Sequence, residues 1–156
     1  MDVSDAFIDT TDVDWFSSNQ EGMIAHFASG GSGYIPNEIQ SSVSENESVA
    51  DYVFALAAKN TFTLVPENIP SFESDSQRDQ YLSSFIEMAS RGFYSYDVLE
   101  LSGYNKGYAL IAIPDKPIKT DALPENIRSV VELAKLEMTE FKKKLYPADW
   151  VLKTGV

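Results

Sequence analysis

The chain has one histidine, His26, and no cysteine, so general-base or metal chemistry near neutral pH falls on His26 first. It lies in Ile24-Ala25-His26-Phe27-Ala28, where strand alternation sets the imidazole opposite Ala25 and Phe27. One imidazole gives one metal bond, and carboxylates would have to supply the others. Asp12 and Asp14 stand on the strand expected to pair with it. No His-x-x-His or His-x-Glu spacing accompanies it, so no metal and no cofactor is expected. The imidazole reads as a structural or partner-contact residue, and no catalytic residue is expected. A small hydrolase using His26 with a nearby carboxylate or Ser29 is the enzymatic alternative.

Two other patterns invite chemistry and fail on their details. Ser29-Gly30-Gly31-Ser32-Gly33 follows a strand, as a phosphate-cradling loop would, but lacks the Gly-Lys-Ser/Thr ending and the Gly-x-Gly-x-x-Gly spacing. Asp9, Asp12 and Asp14 cluster without the loop glycine and distal glutamate of a calcium loop. Tyr94 through Glu100 mixes tyrosines with acids, as protein-binding patches do, and packing of aromatics across strands explains it equally well.

The 156 residues carry 24 acids and 12 bases, a net charge of −12. Residues 1–78 hold 13 acids against Lys59 and Arg78, while residues 79–156 are nearly balanced at 11 acids and 10 bases. Such a field opposes nucleic acid and anionic lipid and favours a basic protein surface. It also serves plain solubility. No apolar run reaches the roughly 20 residues of a membrane helix, and the N-terminus has no secretory-signal pattern, so a cytoplasmic protein with no membrane partner is expected.

The length fits one globular domain over 1–156, with 1–11 a mobile arm. A hairpin is expected over residues 13–28, with its turn at Ser18-Asn19-Gln20-Glu21-Gly22. A short turn opened by Pro36 precedes a helix signalled by the capping box Ser44-x-x-Glu47 and the row Val49, Tyr52, Val53 and Leu56. A second helix starts at Ser74-x-x-Gln77 and stops at Gly92. A second hairpin joins Phe93–Val98 to Tyr108–Ile113. A third helix is expected from Pro124 to Leu145 on the row Ile127, Val131, Ala134, Met138, Phe141 and Leu145, with Lys142, Lys143 and Lys144 at its carbonyl end. Pro-Glu-Asn-Ile occurs at 66–69 and again at 124–127, each a start for a helical turn. The class is α+β: two antiparallel hairpins forming one sheet packed by about three helices, in the order β-β-α-α-β-β-α.

The stretches Asp14-Trp15-Phe16, Gly22-Met23-Ile24-Ala25-His26-Phe27-Ala28-Ser29-Gly30-Gly31, Gly92-Phe93-Tyr94-Ser95-Tyr96-Asp97 and Tyr108 to Pro117 resemble small acidic bacterial proteins, some of them similar to immunity proteins of polymorphic toxin systems. The resemblance covers residues 12–135 and brings no catalytic residues. It implies a non-enzymatic inhibitor that occludes the active site of a cognate, basic toxin domain. The expected contacts are Asp12, Asp14, His26, Glu45, Glu47, Asp51, Tyr94, Tyr96 and Asp97. A phosphate mimic that occupies the grooves of nucleic-acid-binding proteins is the other binding reading.

Overall fold

The computed structural model describes residues 13–30, 34–99 and 107–152. The first hairpin forms where expected: β1 (Asp14–Ser18) pairs antiparallel with β2 (Ile24–Ala28). Its turn is held by Asn19, whose side-chain oxygen accepts the backbone N–H groups of Glu21 and Met23 at 3.0 Å. Gly22 follows at φ +78°, a conformation that costs glycine little. Pro36 opens the short α1 (Asn37–Gln40), and α2 (Val43–Phe54) follows. The expected capping box does not form there. The helix starts two residues earlier, and the Ser42 hydroxyl donates backward to the Glu38 carbonyl at 2.7 Å.

Strand β3 (Phe62–Leu64) was not expected, and Pro66–Asn68 makes one 3₁₀ turn. In α3 (Asp75–Ala89) the expected cap is present: Ser74 Oγ accepts the Gln77 N–H at 3.2 Å. The second hairpin then joins β4 (Tyr94–Val98) to β5 (Tyr108–Pro114). The two hairpins meet through a parallel pairing of β2 with β4, from Ala25 opposite Tyr94 to Ala28 opposite Asp97. Parallel neighbours need a long crossover, and residues 29–93, with α2 and α3, provide it.

The third helix is a correction. α4 (Glu125–Val131) ends after seven residues, β6 (Ala134–Leu136) and β7 (Lys144–Leu145) stand in the remainder of the expected span, and β8 (Trp150–Leu152) follows it. The Leu133 N–H turns to the Val130 carbonyl at 3.1 Å, tightening the last turn, and Ala134 and Leu136 then both face the core with period two. The lysines do not finish a helix. Lys142 pairs with Asp149 at 3.1 Å, Lys143 pairs with Glu67 at 2.9 Å, and Lys144 lies opposite Ala109 in the sheet.

Among the described residues the sheet has eight strands in the order β3-β5-β4-β2-β1-β6-β8, with β7 also on β5. The class is α+β, with more strands and a different order than expected. Leu145 and Trp150 are five residues apart, yet they belong to strands on opposite flanks of the sheet. Five residues span at most about 18 Å, less than the flat width between those flanks, so the sheet curls. Its concave face encloses Trp15, Phe27, Tyr96, Tyr108, Leu136 and Trp150. Its other face carries the helices. Phe16, Ile24 and Phe93 pack against α2 and α4, while Ile111 and Ala112 pack against α3. Among the described residues no helix is long and apolar enough to cross a membrane.

Candidate functional site

The helix face of the three central strands holds the histidine. His26 on β2 lies between Asp14 on β1 and Ser95 on β4, with Nε2 to Asp14 Oδ1 at 2.8 Å and Nδ1 to Ser95 Oγ at 2.8 Å. A carboxylate only accepts, so Nε2 carries a hydrogen, and in the neutral imidazole Nδ1 accepts from the Ser95 hydroxyl. The three residues have the composition of an acyl-transfer triad. Acyl transfer would need substrate at Ser95 Oγ, but Ser95 is 0% exposed and His26 only 1%. Chemically the arrangement is a clamp that satisfies a buried imidazole and ties three strands together. His26 is therefore enclosed rather than offered to a partner, a correction to its expected contact role. Ser29 points to the other face, where its hydroxyl accepts the Val13 N–H at 2.8 Å. It does not join His26.

Asp14 remains half-exposed at the rim of this clamp. Burial raises its pKa, but the hydrogen bond and charge of His26 outweigh that and hold the carboxyl below its ordinary range. Asp12 lies outside the described residues.

The acids of α2 divide. Glu45, Glu47 and Asp51 are all exposed. At 3.6 residues per turn, Glu47, Asp51 and Phe54 fall in one line at steps of four and three, and Glu45 falls toward the opposite edge. Among the described residues no cation lies within ion-pairing distance of Glu45, Glu47 or Asp51. Phe54 is 47% exposed, the one large apolar side chain so exposed among the described residues. The Arg91 guanidinium stands 5.5 Å from its ring centroid and is itself paired with Glu87. The underside of α2 is fixed by Asn46, whose side-chain oxygen accepts the Phe16 N–H at 3.0 Å, covering a stretch of the β1 edge. Phe54 was not singled out from sequence. Its signal was its absence from the row of Val49, Val53 and Leu56.

The tyrosines separate in the same way. Tyr96 is fully buried, stacked on Phe27 at 5.0 Å, with its hydroxyl donating to the Lys142 carbonyl. It is core rather than contact surface, a second correction, because strand alternation turns it into the concave face. Tyr94 is half-buried against Phe141, ring centroids 4.6 Å apart. Asp97 is half-buried on the helix face, where its carboxylate accepts the Tyr81 hydroxyl at 2.6 Å. The eight of the nine expected residues that are described thus do not form one surface. Asp14 and His26 meet, Glu47 and Asp51 share one line of α2, and Asp97 stands with Tyr81.

Among the described residues no three His, Asp or Glu side chains converge as a metal site. Compared with known proteins, the chain matches no family model, no curated protein and no solved structure.

Proposed function

We propose that this chain is a non-enzymatic, acidic binding protein that acts in the cytoplasm on a basic protein partner. Its specific form is an immunity protein that occludes the active site of a cognate bacterial toxin domain. The observation that carries this reading is the line Glu47–Asp51–Phe54: two unpaired carboxylates leading to the one exposed large apolar side chain among the described residues. An apolar anchor beside charged groups has the make-up of an interface hot spot. Residues 13–58 contain no lysine or arginine, and the Arg91 guanidinium beside Phe54 is itself paired with Glu87, so negative charge dominates this part of the chain. Such a field raises the association rate with a basic surface from about 10⁵–10⁶ toward 10⁸ M⁻¹s⁻¹ at low salt. The burial of His26, 1% exposed, and of Ser29, 0% exposed, supports a binding role over a hydrolase built on those two side chains.

The test is a pull-down from the encoding organism with the wild type and with the double variant Glu47→Gln/Asp51→Asn, at low and high salt. One dominant basic partner, held by the wild type and largely lost from the variant, is the expected result. Many basic partners that all wash off in salt would replace this reading with the phosphate mimic. Identical partner sets on both proteins would remove α2 from the interface.

A further inference from the structure

We propose that β3 is a self-pairing edge: two copies of this chain join their β3 strands antiparallel, about a twofold axis at Thr63, into one continuous sheet. Among the described residues β3 ends the sheet, with β5 as its only strand neighbour. Its hydrogen bonds to β5 fall on the odd-numbered residues. The Thr61 carbonyl accepts the Asp115 N–H at 3.0 Å, and the Val65 N–H donates to the Ile111 carbonyl at 2.9 Å, with Thr63 opposite Ile113 between them. Antiparallel alternation therefore aims the N–H and C=O groups of Phe62 and Leu64 away from the sheet. Those four groups have no hydrogen-bond partner among the described residues.

Edges of this kind are usually guarded by charge, proline or a bulge. Here Asn60-Thr61-Phe62-Thr63-Leu64-Val65 contains no charged residue and no proline. The Asp115 carboxylate beside it accepts the hydroxyls of both Thr61 and Thr63. Thr63 is exposed, while Phe62 and Leu64 are half-buried at the rim of the cluster under α3.

The occupant is a second copy because the strand complements itself in the register that its backbone allows. The Asn60 N–H is spent on the Ser90 carbonyl at 2.8 Å, and Pro66 has no N–H. Only the register centred on Thr63, with Phe62 opposite Leu64 of the second copy, pairs every outward group. It sets an apolar pair, Phe62 with Leu64, on one face and a threonine pair on the other, as cross-strand neighbours that stabilise sheets. Continued past the strand ends, it brings Lys59 toward Glu67 of the second copy. Lys59 is exposed and has no ion pair among the described residues. Glu67 is exposed and holds Lys143 through Oε2 at 2.9 Å. Unlike charges thus flank the uncharged strand at both ends. A charged peptide would find no counter-charge from Asn60 to Pro66. The ladder is short, and stable complexes bury about 1,200 Å² or more, so this dimer is weak and concentration-dependent.

The surface uses none of the α2 residues, and its test needs no other protein. The full chain is followed by sedimentation velocity from micromolar to millimolar concentration, beside NMR hydrogen exchange of its backbone amides. A monomer–dimer equilibrium is expected. The Phe62 and Leu64 amides should gain protection with concentration, while the Val65 amide, already bonded to β5, is protected throughout. Leu64→Pro removes one outward N–H from each copy and none of the bonds to β5, and is expected to stay monomeric. Signal dispersion reports whether it is folded. Lys59→Glu carries the test if it is not: association should weaken about tenfold, and Lys59→Glu/Glu67→Lys should restore most of it. A dimer whose Phe62 and Leu64 amides exchange as in the monomer overturns the proposal, as does full association by folded Leu64→Pro or by Lys59→Glu. A chain that stays monomeric to millimolar concentration also overturns it, and protection of the same two amides by a Thr-Val repeat peptide would then give the edge to a strand of another protein.

Discussion

Trp150 on β8 and Tyr108 on β5 meet with ring centroids 6.3 Å apart, although four strands stand between β5 and β8 in the sheet. A flat sheet would hold those strands about 24 Å apart, five steps of 4.7–4.9 Å. The contact therefore measures the curl. Trp150 also reaches Trp15 at 5.6 Å and Phe27 at 5.5 Å. Its indole N–H donates to Ser17 Oγ at 3.3 Å, so one side chain ties β8 to β1, β2 and β5.

Trp150→Ala is accordingly expected to cost about 3–5 kcal/mol, the range for emptying a buried aromatic site. Trp150→Phe should cost less, since it keeps one ring in the core and loses the second ring of the indole together with its hydrogen bond to Ser17. Urea unfolding of the two variants checks this. A cost below about 1 kcal/mol for Trp150→Ala, the size of a surface change, would mean that the curl is held elsewhere.

Tyr96 gives a prediction at high pH. Burial, then the nearby Tyr94 and Asp149, holds its phenol well above the ordinary value of 10.0. An acid whose folded pKa is raised stays protonated in the fold while the unfolded chain ionises. Its stabilising contribution is complete below pH 10 and falls as pH rises through the folded value. Tyr96→Phe should cost about 1–3 kcal/mol at pH 7, because the Lys142 carbonyl loses its donor. The difference between wild type and variant should then narrow above pH 10. Parallel urea midpoints at pH 7 and pH 10.5 decide it, and a gap that widens with pH would contradict the burial argument.

Asp14 gives the opposite sign. Its folded pKa lies below the ordinary value of 3.8, so the carboxylate stabilises the fold above that pH and loses the contribution as pH falls through the folded value. Because the side chain is 54% exposed, solvent screening limits the effect to under about 1 kcal/mol. Asp14→Asn should be slightly less stable than the wild type at pH 7, and the difference should shrink as pH falls below 3.8. A difference that stays constant as pH falls would show that Asp14 acts through packing and not through its charge toward His26.

The parts of this fold that were legible in the sequence are those in which local chemistry and packing agree. Asn19 and Gly22 wrote the first turn, Ser74 and Gln77 wrote the start of α3, and the alternation of Ile24 through Ala28 placed His26 on the correct face. The row from Ile127 to Leu145 misled because its steps of three and four also fit an irregular path. Lys135 is claimed by β1, Ala134 and Leu136 by β8, and Leu145 by β5, which are long-range pairings that no local period reports. The parallel pairing of β2 with β4 is hidden for the same reason. At the site, Asp14 was legible as the neighbour of His26 because hairpin register is local. Ser95 was not, because it arrives from 69 residues away.

The division of α2 yields the sharpest test of the binding reading. Glu47 and Phe54 share one line of the helix, and Glu45 lies toward the other edge, so the two glutamates should behave differently although both are exposed. Glu47→Gln should slow association with the partner and flatten its salt dependence, while Glu45→Gln changes association much less. Phe54→Ala should act on dissociation, with a loss of 2 kcal/mol or more if the ring fills a pocket on the partner, about a thirtyfold weaker complex. The same substitution should leave unfolding stability within about 0.5 kcal/mol, the usual range for a surface site. Association kinetics of the four proteins at two salt concentrations, beside their urea midpoints, separate these effects. Equal responses to Glu45→Gln and Glu47→Gln would mean that the partner senses only net charge. An unaltered dissociation rate in Phe54→Ala would place the anchor on another part of the molecule.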